Sequence, residues 1–156
     1  MPLFSKFKVL FFAAAMSLMM AGAASAADQG TPAEAEAMVK KAVAYIKANS
    51  PAKAYEEFTN GSSFKDRDLY ISVYDFTGKN LAHGANPKLV GKDLMGLKDL
   101  DGKLLVQMLT DLAKTKGKGW SESYKFSHPL TKKVGDKVMY LERLDDTWVG
   151  VGVYKP

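Results

Sequence analysis

Leu69-Tyr70-Ile71-Ser72-Val73-Tyr74-Asp75-Phe76-Thr77-Gly78-Lys79-Asn80-Leu81-Ala82-His83 reads as strand, tight turn, strand. Side chains alternate across a strand, so Leu69, Ile71 and Val73 share one face, while Tyr70, Ser72 and Tyr74 share the other. The first face is aliphatic, as a core face should be. The second carries aromatic rings with hydroxyls and suits a half-polar cavity as well as a core. Asp75 and Gly78 bracket a four-residue turn with the side chains such turns favour at their first and last positions. The chain returns through Leu81 and His83.

Upstream, Lys6 and Lys8 precede an apolar run over residues 9–21, and Ala24-Ser25-Ala26 follows. A basic stretch, a short apolar run and a small-x-small site make an export signal, with the cut expected after Ala26. The run is short of the ~20 residues that span a bilayer. The expectation is therefore a signal over residues 1–26 and one exported domain over residues 27–156. An uncleaved signal would leave a membrane-tethered fragment instead. Without Lys6 and Lys8 the net charge falls from +5 to +3, spread along the chain, which argues against a nucleic-acid partner. No cysteine is present, which excludes thiol catalysis, cysteine-ligated metals and lipid attachment to a cysteine.

Thr31-Pro32-Ala33-Glu34 combines a cap, a proline for the first helical position and the acid of a capping box. Ala35, Met38, Val39, Ala42, Tyr45 and Ile46 then fall on one helical stripe. Asn49-Ser50-Pro51 interrupts the helix and restarts it, giving helix, kink, helix over residues 31–60. Residues 84–102 are rich in turn formers but carry leucines that need burial, so an ordered capping loop is expected, a lid. Leu104, Leu105, Met108, Leu109 and Leu112 mark another amphipathic helix. Three strands follow: one alternating Trp120, Glu122, Tyr124 and Phe126 on one face, one from Lys137 to Leu144, and one from Trp148 to Tyr154. In the last, Trp148, Gly150, Gly152 and Tyr154 share a face. Glycine weakens a strand unless something approaches closely, so a helix or ligand is expected over that face. The architecture is α+β: a five-stranded antiparallel sheet covered by helices.

Catalytic signatures are sparse. His83 and His128 lie on different expected strands, and no metal-ligand spacing or phosphate loop occurs. Neither a metal nor a cofactor is expected. A hydrolase or isomerase using His83 with Asp75 or Glu122 lacks an assembled nucleophile, base and orienter. His83 is either a loop-anchoring residue or a donor to a bound anion. Lys137 is either a solvated strand-end lysine or a cation aimed into a cavity. Buried tyrosine hydroxyls need partners, so Tyr70, Tyr74, Tyr124 and Tyr140 with Trp120 could line a polar pocket holding Lys137 and His83, or could be the solid core of a structural envelope protein. The candidate ligand-binding set is Tyr74, His83, Trp120, Tyr124, Lys137 and Tyr140. In a regular strand Lys137 and Tyr140 face opposite sides, so only one of them would line the cavity.

The order of features resembles the single Cache domains, the periplasmic sensor modules of bacterial chemoreceptors and histidine kinases. The matching residues run from Phe64-Lys65-Asp66-Arg67-Asp68 through Asp75, then Gly78 with Leu81-Ala82-His83, then Asn86-Pro87-Lys88-Leu89-Val90-Gly91-Lys92-Asp93. Lys98-Asp99-Leu100-Asp101-Gly102-Lys103, Gly119-Trp120 with Tyr124 and Pro129, Lys137 with Tyr140, and Val149-Gly150-Val151-Gly152-Val153-Tyr154 continue it. The resemblance implies a long N-terminal helix on a PAS-like antiparallel sheet. It also implies a non-enzymatic module that binds small organic acids or similarly small polar metabolites and acts in signal transduction or chemotaxis. Gly84-Ala85 stands where the family often places a proline after the histidine. Family sensors usually lie between two membrane helices. Here the expectation is a stand-alone periplasmic or secreted member, with a membrane receptor or kinase as partner and an oligomeric state the residues leave open.

Overall fold

A computed structural model describes residues 29–156. The expected export signal lies outside the described residues. The chain runs α1 (Pro32–Ala48), α2 (Pro51–Asn60), β1 (Lys65–Asp66), β2 (Leu69–Asp75), β3 (Asn80–His83), a single 3-10 turn (Pro87–Leu89), α3 (Leu105–Lys116), β4 (Lys118–Trp120), β5 (Tyr124–Ser127), β6 (Val134–Leu144) and β7 (Thr147–Tyr154). The capping box forms as expected: Glu34 N–H donates to Thr31 Oγ1, and Thr31 N–H donates to the Glu34 carboxylate. Asn49 and Ser50 then take extended backbone, and Ser50 Oγ accepts from Lys53 N–H to start α2.

Every strand pairing is antiparallel, with β2, β7 and β6 at the centre. β3 lies along the free side of β2, and β4 and β5 are two pieces of one edge along β6. Five strand positions therefore exist, as expected, extended by the two-residue β1 ladder. The expected strand through Trp120, Glu122, Tyr124 and Phe126 is broken, because residues 121–123 leave the ladder. That interruption cancels the alternation: Trp120 pairs with Tyr140, and Tyr124 with Lys137, on opposite faces.

One sheet face is the aliphatic one. Ile71, Val73, Val149, Val151 and Val153 pack under Ala35, Val39, Ala42 and Ile46 of α1 and under Ala54 and Phe58 of α2. The other face carries Tyr74, Tyr124, Met139, Leu141 and Trp148, and α3 covers it through Leu105, Val106 and Leu109. Trp148 Nε1 donates to Thr110 Oγ1 at 3.0 Å and pins α3 to β7. The loop over residues 84–102 is ordered, as expected, but by hydrogen bonds and not by burial of its leucines: Leu97 and Leu100 are exposed. Asn80 N–H donates to Lys92 O, Leu94 N–H to Gly78 O, and Lys125 N–H to the Asp99 carboxylate.

Candidate functional site

Lys137 is the most unusual side chain of the α3-covered face. Its pairing with Tyr124 and Tyr154 fixes it on that face, and it is 1% exposed. The stem runs over Gly152, where any Cβ would collide with it. Met139 does the same over Gly150. Close approach therefore explains both strand glycines, but what approaches is the neighbouring strand's own side chains and not the helix or ligand expected. Nζ lies over the rings of Tyr70, Phe126 and Tyr154, at 4.6, 5.0 and 4.8 Å from their centroids. It donates to Tyr70 Oη at 3.0 Å. Among the described residues it forms no ion pair. Aromatic faces attract an ammonium but replace only part of its lost hydration. Burial accordingly drives its pKa down to about 7, opposed by the charge of Asp68.

His83 ends β3 opposite Ser72 and is buried. Its Nδ1 accepts the amides of Asn86, at 2.9 Å, and of Ala85, at 3.3 Å. With Nδ1 an acceptor, the neutral ring carries its proton on Nε2. That N–H has no hydrogen-bond partner among the described residues. Burial and the nearby Lys137 charge push the imidazole down to about 4, so the ring is a neutral donor at physiological pH. Burial also raises Tyr70 and Tyr124 well above the ordinary phenol value and holds them as neutral hydroxyls. Tyr74 stacks on Trp148 at 4.7 Å.

These groups enclose a cavity of about 20 Å³ lined by Tyr70, Tyr74, His83, Tyr124, Lys137 and, from α3, Val106 and Leu109 among others. Roughly 10–15 Å³ in this measure holds one water, so the ligand-free space is a water or two across. Outside it lies a cleft of about 410 Å³ that shares Tyr70, His83 and Phe126 with the cavity. Its far wall includes Asn86, Lys88 and His128. His128 repeats the arrangement of His83, its Nδ1 accepting the amides of Leu130 and Thr131. Its Nε2 lies 3.8 Å from Oδ2 of the fully buried Asp68, whose Oδ1 accepts from Gly30 N–H.

Four of the six expected ligand-binding residues meet here: Tyr74, His83, Tyr124 and Lys137. Trp120 and Tyr140 do not. β6 is regular, so Tyr140 points to the opposite face, where it packs in the α1 core. Trp120 follows it there, with ring centroids 5.5 Å apart, and its Nε1 donates to Glu36 of α1. The loop over residues 84–102 is also not the roof of the cavity. α3 is, and the loop lends Asn86, Lys88 and Leu89 to the outer cleft only. Tyr70 and Phe126 were not in the expected ligand-binding set. Tyr70 shares Tyr74's face and Phe126 shares Tyr124's face by simple alternation, so both signals were present. Asp75, considered with His83 for catalysis, spends its carboxylate on the Thr77 and Lys79 amides of its own turn. Glu122 is exposed beside Lys103.

The fold, a sheet with α1 and α2 on one side and α3 on the other, is shared by known proteins. The family described as Single Cache domain 2 matches residues 13–155. The chain belongs to that family. The sensor histidine kinase MctS of Rhizobium johnstonii is 34% identical over 90 residues, covering 56% of this chain and 19% of the kinase. This Cache chain thus spans about a fifth of that relative's length. A methyl-accepting chemotaxis protein of Vibrio parahaemolyticus superposes with a TM-score of 0.67 at 26% identity, covering 78% of this chain and 86% of that one. A structure described as the basis for carboxylic acid recognition by a Cache chemosensory domain gives 0.67 at 22% identity, covering 80% and 92%, and so shares the fold. No helix among the described residues is long and apolar enough to cross a membrane.

Proposed function

We propose that this Cache domain is an exported sensory module that binds a small carboxylate beneath α3, and that it signals through a membrane receptor or kinase. The observation that carries the reading is Lys137, a buried ammonium with one hydrogen-bond acceptor and no carboxylate partner among the described residues. An ammonium has three donors, so two remain for a ligand. The unpaired Nε2–H of His83 lines the same space. A carboxylate entering from the outer cleft would meet two kinds of donor and restore the charge balance that burial upsets. Val106 and Leu109 leave only an apolar, shallow wall for the remainder, which favours acetate- or propionate-sized acids. The kinase and chemoreceptor relatives, and the structural neighbour described in terms of carboxylic acid recognition, support the same direction. The basic, apolar and small-residue segments within residues 1–26 support export with cleavage after Ala26. No catalytic step and no nucleic-acid partner belong to this reading.

The test is a thermal-shift screen of the purified protein against acetate, propionate, lactate, simple amines and amino acids. A binder at 100 times its dissociation constant adds about 2.7 kcal/mol of stability. A shift with the carboxylates and none with the amines is expected. A screen in which no carboxylate moves the transition would overturn the reading.

A further inference from the structure

The turn joining β5 to β6 holds a large apolar side chain out in solvent. Leu130 is 59% exposed, and Val134 at the start of β6 is 49% exposed. The turn is closed by His128 N–H donating to Lys133 O and by Lys132 N–H donating to His128 O. The buried His128 ring fixes its tip, Nδ1 accepting the amides of Leu130 and Thr131. Lys132 takes a left-handed backbone, φ 61°, and its Nζ donates to Pro129 O. The order of this segment thus presents a leucine to water instead of burying it.

The turn is also basic. Lys132, Lys133 and Lys155 are exposed and form no ion pair among the described residues. Lys155 stands beside the turn, its N–H donating to Asp136 O. The acids of this end are engaged elsewhere: Asp136 with Lys125 at 2.8 Å, and Asp66 and Glu34 with Arg67. Both ends of the described chain meet here. Gly30 N–H donates to Asp68 Oδ1 at 2.6 Å, and Asp68 Oδ2 stands 3.8 Å from His128 Nε2. Tyr154 packs on the His128 ring at 4.6 Å and donates to Ser127 O. The chain preceding Gly30, with the apolar run of residues 9–21, therefore joins the domain beside this turn. An export signal sits in the bilayer until it is cut, so this pole faces lipid first. We propose that the turn rests on an anionic lipid surface, Leu130 entering the interface while Lys132, Lys133 and Lys155 meet headgroup phosphates. An exposed apolar side chain ringed by unpaired cations matches an acyl boundary beneath a layer of phosphates. One leucine and three lysines make the contact weak and reversible, which keeps a released domain near the membrane without fixing it there. The surface is separate from the cavity under α3 and does not depend on what binds there.

The test is partition onto vesicles. Protein purified from the expressing cells, its N-terminus read by intact mass, is spun with vesicles of phosphatidylglycerol and phosphatidylcholine, or of phosphatidylcholine alone. Sedimentation with the anionic vesicles at about 0.1 M salt is expected, with release at about 1 M, where the screening length is about 3 Å. Lys132→Asn with Lys133→Gln should lower the partition coefficient about thirtyfold, each surface lysine contributing about a factor of five. Asparagine tolerates the left-handed backbone at 132. Leu130→Ser should lower partition at least about fivefold. Lys47→Gln with Lys53→Gln removes the same charge at the other end of α1, about 25 Å away, and should change it by less than about threefold. All these positions are exposed, and the melting transition of each variant checks that the fold is kept. Retained residues 1–26 would add equally to every variant, so the difference from wild type reads the turn alone. The same partition for wild type and the turn variants overturns the proposal, as does equal partition of the processed protein onto the two kinds of vesicle. Binding to native membranes that protease treatment abolishes, with none to the protein-free anionic vesicles, gives the turn to a protein partner and also overturns it.

Discussion

At the scale of single residues, the proposed site turns on one amine and the glycine beneath it. Lys137→Met keeps most of the stem and its packing over Gly152 but removes the charge. Carboxylate binding should weaken far beyond threefold, measured by calorimetry. A change within threefold would make Lys137 irrelevant to the ligand. The same substitution should stabilise the ligand-free protein, by about 1–4 kcal/mol, because an uncompensated buried charge gives way to an apolar chain. Urea denaturation checks that sign. Gly152→Val tests the contact from the other side. Its branched side chain would occupy the space of the Lys137 stem, so it should cost on the order of 1–3 kcal/mol by overpacking and abolish binding together. An unchanged melting temperature would show that the face has slack. The identity of these residues was legible in the sequence, since a lone cation on a strand face continued by Met139 and Leu141, and two glycines on one strand face, are both visible there. How deeply Lys137 is buried was not, because that depends on rings contributed by β2, β5 and β7 together.

At the scale of elements, alternation did most of the predictive work and failed where a strand stops being a strand. The faces of β2 and β7 follow directly from period two, and so do the aliphatic core and the tyrosine face. The same rule assigned Trp120 to the pocket, because residues 121–123 were read as strand. They leave the ladder, and the parity is lost across them. The roof was misplaced for a related reason. The leucines of the turn-rich loop were expected to need burial, yet Leu97 and Leu100 are exposed and none of them is buried, whereas α3 is bound to the sheet by the side-chain hydrogen bond from Trp148 to Thr110, which no periodicity reveals. Thr110→Val keeps the shape and leaves the fully buried indole N–H without its acceptor. A loss of about 1–3 kcal/mol in urea denaturation is expected. Weaker carboxylate binding should accompany it, because the roof is less firmly held. Unchanged stability would mean that α3 does not depend on this bond.

At the scale of the whole molecule, the fold makes binding and protonation one equilibrium. The groups facing Lys137 do not titrate near neutrality: Tyr70, Tyr124 and Tyr154 are raised as phenols, and His83 is lowered to about 4. Asp68 and His128 lie beyond them, His128 Nε2 standing 3.8 Å from a buried Asp68 Oδ2 that has no hydrogen-bond partner among the described residues, and Asp68 acts on the amine only through its field. Folding depresses Lys137 from an ordinary value near 10.4 to about 7, so between these limits the unfolded chain binds more protons than the folded one. Ligand-free stability must then rise as pH rises through that window, with the cost of the buried charge fully present below about 7. A bound carboxylate reverses the balance, since it favours the ammonium. Above about pH 7 each ligand should therefore bring close to one proton with it, and affinity should fall about tenfold per pH unit while bound Lys137 stays charged. Calorimetry in buffers of different ionisation enthalpy reads the proton count directly. An affinity constant over roughly pH 6 to 9, with no proton uptake, would show that the ligand carboxylate does not meet Lys137.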